Sequence, residues 1–130
     1  MVKLIDAKES LSIQVHEGSE HWHVIEALPD SEIICGLNRE ITPEEFKQRI
    51  EDESLIEIVN HIKVKKGDHF FIKGGTLHSI GKGILIAEIR PYDNPTYRVY
   101  DYGRIDSNGN HRELHIKKAL QITNLQQHII

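Results

Sequence analysis

Two separated groups of side chains carry the nitrogen and oxygen atoms that proteins use to bind metal ions. In the first group, Gln14 and His16 lie two residues apart in an alternating run, so on a β-strand both side chains point to the same face. Glu20 follows across residues 17–19, which predict a tight turn with glycine at its centre. If this turn reverses the chain, Glu20 returns beside His16 on the next strand. The three side chains are therefore predicted to converge.

The second group leads up to His78. A Gly-Asp turn precedes the apolar strand 70–72, and Gly74 and Gly75 predict a sharp bend before His78 begins another strand. His78 is thus predicted to add a fourth donor from across the fold. Imidazole and carboxylate donors suit zinc, and a site with an open coordination position is of the catalytic type. Iron, manganese and nickel use the same donors, so the metal stays open.

His21 and His23 offer a second arrangement, because they form a literal His-x-His pair on the strand after the turn. Side chains alternate along a strand, so His21 and His23 share one face while Glu20 and Trp22 share the other. Burial of Trp22 favours the face that carries Glu20. The preferred ligand set is Gln14, His16, Glu20 and His78. The alternatives are His21 and His23 in place of Gln14 and His16, and a metal-free cluster of buried polar side chains, which is costly unless fully hydrogen-bonded.

The composition indicates one compact domain that binds neither nucleic acid nor membrane. The chain has 130 residues, a net charge of -4 and a pI near 6.1, which do not favour a polyanionic partner. Residues 1–8 lack the apolar core of a signal peptide, and no stretch reaches membrane-spanning length, so a cytoplasmic location is expected. Cys35 is the only cysteine and lies in an apolar run, which predicts a buried thiol without an intrachain disulfide.

The apolar pattern predicts a mostly β fold that positions these side chains. Strands are predicted at residues 3–5, 11–16, 20–28, 33–36, around 63, 69–72, 76–80, 84–90 and 96–102.

Helices are predicted in two places. A helical insertion is expected over about residues 42–61. Thr42 and Glu45 have the spacing of a capping box with proline between them, and Ser54 and Glu57 repeat it for a second short helix that ends near residue 61. A C-terminal helix is expected over about residues 115–122, where an apolar stripe recurs.

The two ligand motifs resemble those of the cupin family, in which His-x-His and a later Glu precede a Gly-rich motif that ends in His. Gln14 stands for the first histidine and Lys73 for a proline of the second motif. The resemblance is closest to bacterial type I mannose-6-phosphate isomerases, because three longer segments are also similar to them: residues 4–16, 96–104 and 112–120. The resemblance implies a single cupin domain over residues 1–130, which is a small β-barrel or jelly roll with helices outside.

The resemblance also implies an activity and further site residues. Members of the family use zinc and interconvert mannose 6-phosphate and fructose 6-phosphate by moving a proton between C1 and C2. Arg98 and Glu88 match the positions of an active-site arginine and glutamate of the family. The alternatives are a structural ion pair of Arg98 with Asp101 or Glu88, and a solvent-facing Glu88 on an edge strand.

The chain departs from the family pattern before Glu20. Family members carry a lysine two positions before the metal-binding glutamate, where this chain has Gly18. Lys73 and Arg90 are the cations predicted to replace it in binding the substrate. Complete members are about twice as long, so exposed strand edges are expected here, and a homodimer would cover them. Two alternative functions are a non-catalytic sugar-binding or regulatory cupin and an iron-dependent oxygenase.

Overall fold

The computed structural model of the chain describes residues 1–91 and 93–129, which form two antiparallel sheets. The four-stranded sheet has the order β1-β8-β3-β6, with β1 (Val2–Ala7), β3 (Glu20–Ala27), β6 (His69–Ile72) and β8 (Ile84–Ile89). The five-stranded sheet has the order β5-β4-β7-β2-β9, with β2 (Ile13–Val15), β4 (Glu32–Leu37), β5 (Val59–Lys63), β7 (His78–Ile80) and β9 (Tyr97–Tyr100). The mostly β class predicted from the sequence is confirmed.

One hydrophobic core lies between the two sheets. Trp22 and Ile86 of the four-stranded sheet pack in one cluster with Ile33 and Cys35 of the five-stranded sheet. Trp22 is 1% exposed, so β3 turns Trp22 and Glu20 inward and leaves His21 in solvent. Burying an apolar side chain of this size stabilises the fold by roughly 1.5–3 kcal/mol. Cys35 is buried as a free thiol, as predicted.

A second core lies on the outer face of the five-stranded sheet, where the helices cover it. These are α1 (Pro43–Glu51), a short 3₁₀-helix (Leu55–Ile58) and α2 (Ile116–Ile122). Phe46 and Ile50 of α1 and Ala119 of α2 are fully buried in one cluster with Val15 and Val99 of the sheet. The helices therefore lie outside the sandwich, which leaves the space between the sheets for inward-facing polar residues.

Helix α1 begins with the predicted cap, but only half of the capping box forms. The backbone N–H of Glu45 donates to the Thr42 hydroxyl at 3.1 Å, and Pro43 is the first helical residue. The Glu45 carboxylate instead pairs with Arg39 and Arg49. A single N-cap bond of this kind contributes about 1 kcal/mol.

The second predicted helix is shorter than expected. It is a 3₁₀-helix that ends at Ile58, and residues 59–61 belong to β5. The Ser54 hydroxyl does not cap this helix but donates to the Asp52 carboxylate. Val59 pairs with Leu37 on β4, so the hydrogen bonds of an existing sheet replace those of a short and weakly nucleated helix.

The predicted hairpin at residues 17–19 is also wrong. β2 and β3 belong to different sheets, so this segment crosses from one sheet to the other. Gly18 does not adopt a positive φ. A Cβ at this position would lie 2.4 Å from Nδ2 of Asn94, so a larger residue would require the Asn94 side chain to move. The crossing brings Glu20 to His16 from the opposite sheet rather than from a neighbouring strand.

Among the residues that the structure describes, no helix is long and apolar enough to cross a membrane.

Candidate metal centre

Three of the predicted ligands converge between the sheets. His16 directly follows β2 and His78 begins β7 in the five-stranded sheet, while Glu20 begins β3 in the other sheet. The side chains are almost completely buried, with exposed fractions of 3% for His16, 0% for Glu20 and 5% for His78. Nε2 of His16 lies 3.3 Å from Oε2 of Glu20, and Nε2 of His78 lies 3.7 Å from Oε1. One potential ligand atom from each residue fits within 4.8 Å of the others.

Two glycine-dependent loops hold this arrangement. The Gly74 N–H donates to the Ser19 hydroxyl at 2.8 Å, and the Gly75 N–H donates to the His16 carbonyl at 2.9 Å. A Cβ at Gly74 would lie 1.9 Å from the Glu17 carbonyl oxygen, and Gly75 has a φ of +83°. Both positions therefore require glycine. The sharp bend predicted before His78 is thus also where the loop that precedes His78 is hydrogen-bonded to the segment between His16 and Glu20.

Both imidazoles are anchored through their Nδ1 atoms. Nδ1 of His16 lies 2.7 Å from the Gly18 carbonyl oxygen, and Nδ1 of His78 lies 2.9 Å from the Thr76 carbonyl oxygen. Because a carbonyl only accepts, each Nδ1 carries the proton, and in a neutral ring Nε2 then presents a lone pair. Burial lowers the pKa of His78 to about 4, so its ring is neutral at pH 7. Nε2 of His78 therefore presents its lone pair toward the Glu20 carboxylate.

Glu20 has one satisfied and one unsatisfied oxygen. Oε1 accepts from the indole N–H of Trp22 at 2.8 Å, whereas Oε2 has no hydrogen-bond partner within residues 1–91 and 93–129. Burial raises the pKa of Glu20, but contacts with His16 and Glu88 outweigh it and hold the pKa below its usual value. A buried carboxylate with one unsatisfied oxygen is costly unless a cation lies close to it. The donor set fits a divalent metal for this reason.

Gln14 is the cross-strand neighbour of both His78 and Arg98. Gln14 is directly opposite His78 on β7 and opposite Arg98 on β9, so the three side chains leave the sheet on the same face. The Gln14 amide donates to the Ser12 hydroxyl at 2.8 Å. Nη1 of Arg98 donates to the Glu113 carbonyl at 2.9 Å. Gln14 as a ligand and Arg98 as a catalytic residue stay predictions.

The alternative interpretations of Glu88 and Arg98 do not fit the structure. Glu88 is 6% exposed and lies on β8, an inner strand of its sheet, so it is not a solvent-facing edge residue. Asp101 pairs with Arg104 and Arg112, and Glu88 pairs with Arg90. Neither acid forms the structural ion pair with Arg98 that the sequence had left open.

Glu88 and Arg90 extend the buried polar cluster. Both follow the inward face of β8, with Arg90 two residues beyond Glu88 and 7% exposed. Nη2 of Arg90 donates to Oε2 of Glu88 at 3.4 Å, and Nε lies 3.8 Å from Oε2 of Glu20. Burial and the neighbouring Glu20 carboxylate raise the pKa of Glu88. Two carboxyl groups and a guanidinium thus adjoin the candidate ligands.

Lys73 is not brought to this cluster. Its side chain is exposed where β6 ends, and its carbonyl accepts from the Thr76 N–H at 3.1 Å.

His21 and His23 lie on the opposite face of β3 from Glu20. The His21 ring packs on Phe71 with centroids 4.9 Å apart, and the His23 ring packs on His69 with centroids 4.2 Å apart. His21 and His23 therefore do not replace Gln14 and His16 beside His78.

A pair of arginines was missed by the sequence analysis. Asp101 accepts from Nη2 of Arg104 at 2.7 Å, and from Nη2 and Nε of Arg112 at 2.6 and 2.9 Å. Both arginines line an open cavity of about 340 Å³ together with Gln14 and Lys8. The Asn108-Gly109 turn between the arginines is a hairpin signal that places residues 104 and 112 side by side. This cavity reaches the predicted ligand Gln14.

Comparison with known proteins gives close sequence relatives. The chain is 40% identical over 136 aligned positions to the mannose-6-phosphate isomerase ManA of Bacillus subtilis, covering 94% of this chain and 43% of the relative. It is 38% identical to the mannose-6-phosphate isomerase of Streptococcus mutans, covering 94% of this chain and 42% of that protein. The chain therefore spans about two fifths of the length of these relatives. A comparison with protein-family profiles found no match.

Solved structures show the same relationship. The mannose 6-phosphate isomerase of Bacillus subtilis superimposes with a TM-score of 0.85 at 34% identity, over 99% of this chain and 46% of that one. The mannose 6-phosphate isomerase of Salmonella typhimurium shares the fold, with a TM-score of 0.69 at 12% identity over 98% of this chain. The cupin-type fold predicted from the motifs is confirmed. The chain is a relative of the bacterial mannose-6-phosphate isomerases and shares with them one cupin-type region.

Proposed function

We propose that this chain is a metal-dependent aldose-ketose isomerase that interconverts mannose 6-phosphate and fructose 6-phosphate. The observation that carries the proposal is the buried convergence of His16, Glu20 and His78, with one Glu20 oxygen left without a partner among the described residues. Sequence identity of about 40% to mannose-6-phosphate isomerases supports the choice of reaction. Because the chain spans less than half of those relatives, the activity and substrate are proposals for this chain.

His16, Glu20 and His78 would hold the metal, with Gln14 as a fourth ligand. Zinc is the preferred ion because the resembling family uses it and the nitrogen and oxygen donors of this set suit it. A divalent ion held by these residues would supply Lewis-acid chemistry for the isomerisation of a sugar. Glu20 is held for this role by the Trp22 indole, and each histidine is held by a backbone carbonyl.

Glu88 is the proposed acid/base group. Its carboxyl group faces the interior beside Glu20, on a strand that also packs the large Trp22 side chain. A carboxyl group in this position can accept a proton from one carbon and deliver a proton to the other. Arg98, which shares a sheet face with Gln14 and His78, is proposed to stabilise the negative charge that develops on the substrate oxygen.

Arg104 and Arg112 are proposed to bind the phosphate. They line the cavity that reaches Gln14, and the two guanidinium groups share the single carboxylate of Asp101. Planar guanidinium groups suit bidentate contact with phosphate oxygens. Lys73 and Arg90, the two candidates from the sequence, stay predictions for substrate binding.

Proton exchange at C2 of the sugar tests the proposal. Zinc-loaded protein is incubated with mannose 6-phosphate in deuterated water, and NMR follows both fructose 6-phosphate and loss of the C2 proton. We expect exchange that stops with a chelator and falls by about a hundredfold or more in Arg98→Ala. Arg39→Ala, which removes an exposed arginine on another face, should exchange at the wild-type rate. Lack of exchange by protein with stoichiometric zinc would contradict the proposal.

A non-catalytic sugar-binding cupin is the second candidate. The observation in its favour is that the three candidate ligands are each at most 5% exposed and Gly18 replaces a lysine of the resembling family. Such a protein would bind mannose 6-phosphate in isothermal titration without exchanging the C2 proton.

The cytoplasmic location, the homodimer and the lack of nucleic-acid or membrane partners stay predictions from the sequence.

A further inference from the structure

Arg90 is a permanent positive charge buried beside the candidate metal ligands. It lies just beyond the end of β8 with 7% of its surface exposed. Its backbone is fixed on both sides by Met1, because the Arg90 N–H donates to the Met1 carbonyl at 3.0 Å and the Arg90 carbonyl accepts from the Met1 ammonium at 2.9 Å. The backbone of Arg90 is therefore fixed, and its side chain is buried.

The hydrogen bonding of this guanidinium is incomplete. Only Nη2 makes a side-chain bond, to Oε2 of Glu88 at 3.4 Å. In the described part of the chain Nε and Nη1 have no hydrogen-bond partner. Their nearest carboxylate oxygens are Oε2 of Glu20 and Oδ1 of Asp93, each 3.8 Å away. A buried arginine with two unsatisfied nitrogens gains little from hydrogen bonding, so its charge is the more important property.

The positive charge of Arg90 lies beside two buried carboxyl groups. Glu20 and Glu88 lie on adjacent inward-facing strands of one sheet, and both are nearly inaccessible to water. The Oε2 atom that Arg90 approaches on Glu20 is the atom that has no hydrogen-bond partner within the described residues. A divalent ion bound at Glu20 would lie close to the guanidinium and would be repelled by it.

We propose that Arg90 is the internal counter-cation of the metal centre: it stabilises the metal-free cluster by offsetting Glu20 and Glu88, and it lowers the affinity of the centre for divalent metal. The inference rests on the metal centre proposed above and not on isomerase activity. A unit charge about 6 Å from a divalent ion changes the binding constant by about tenfold even at the dielectric constant of bulk water, and by more in a buried site. The centre should therefore bind a divalent metal more weakly than the same ligands would without Arg90.

The test compares zinc binding by wild-type protein and by Arg90→Gln, which keeps an amide donor for Glu88 but removes the charge. Competition with a chromophoric chelator gives the zinc dissociation constant at neutral pH. We expect Arg90→Gln to bind zinc at least about tenfold more tightly and to melt at a lower temperature in EDTA, so that zinc raises its melting temperature more than that of wild type.

Two variants serve as controls. Arg90→Lys keeps the charge and should stay within about threefold of the wild-type affinity. Arg39→Gln removes an exposed arginine and should change neither quantity. If Arg90→Gln does not fold without metal, the comparison is made between Glu88→Gln and the double variant Glu88→Gln/Arg90→Gln, where the same tightening is expected.

The outcomes separate the two proposals. Equal or weaker zinc binding by folded Arg90→Gln would overturn the inference and leave the metal centre intact. Failure of both wild type and Arg90→Gln to bind zinc would overturn both. Loss of isomerase activity alone would not affect this measurement.

Discussion

The hydrogen bond from Trp22 to Glu20 should make a measurable contribution to stability. The indole N–H donates to a buried carboxylate oxygen at 2.8 Å, and Trp22 itself is 1% exposed. In Trp22→Phe the lost bond to a charged group costs about 1.5–3 kcal/mol, and the volume lost in a closed core costs about 1 kcal/mol more. The expected loss is about 3 kcal/mol, or a fall of about 10 °C in Tm for a chain of this size.

A double-mutant cycle with Glu20→Met isolates the hydrogen bond from the cavity. Urea unfolding in EDTA gives the free energy of unfolding of wild type, Trp22→Phe, Glu20→Met and the double variant. The cavity term of Trp22→Phe is present with either residue at position 20 and cancels, which leaves a coupling energy of about 1.5–3 kcal/mol. A coupling below about 0.5 kcal/mol would refute the idea that the indole holds this carboxylate.

Three further predictions concern other parts of the fold. The hydrogen bonds of Asp101 with Arg112 and Arg104 hold the pKa of Asp101 below the ordinary 3.8 despite its burial. The stabilisation from these bonds is therefore present above about pH 4 and is lost as the pH falls through the lower pKa of the folded state. Asp101→Asn should thus cost about 1–2 kcal/mol at pH 7, and urea unfolding should show this difference from wild type shrinking below pH 4. Phe46→Ala should cost about 3–5 kcal/mol in urea unfolding, because this fully buried ring joins α1 to the sheet. Burial raises the pKa of Cys35 to about 11, so a thiol reagent at pH 8 should label it only as fast as the protein unfolds, and rapid labelling of folded protein would contradict the described burial.

The sequence predicted strands well where alternation was strong. On β3 the alternating pattern placed Trp22 and Glu20 on one face and His21 on the other, and the structure agrees. It failed at residues 17–19, because a short loop with a glycine is compatible with both a hairpin and a crossing between sheets. It also failed at residue 59, where pairing with Leu37 on β4 ended the short helix. Both failures depend on contacts with distant strands, which local pattern does not contain.

The same distinction applies to the candidate site. His16, Glu20 and His78 were identified because their spacing is confined to two short motifs. Arg104 and Arg112 were missed as a pair, since their common partner Asp101 and the cavity beside Gln14 become visible only in the folded chain.

A zinc anomalous difference map tests the central claim most directly. Crystals grown with zinc should show a strong peak about 2.0–2.2 Å from Nε2 of His16, Nε2 of His78 and a carboxylate oxygen of Glu20. The peak should disappear in crystals of His78→Asn while the fold is retained. A map with no peak at these atoms, or with its main peak between His23 and His69 on the outer face, would contradict the account.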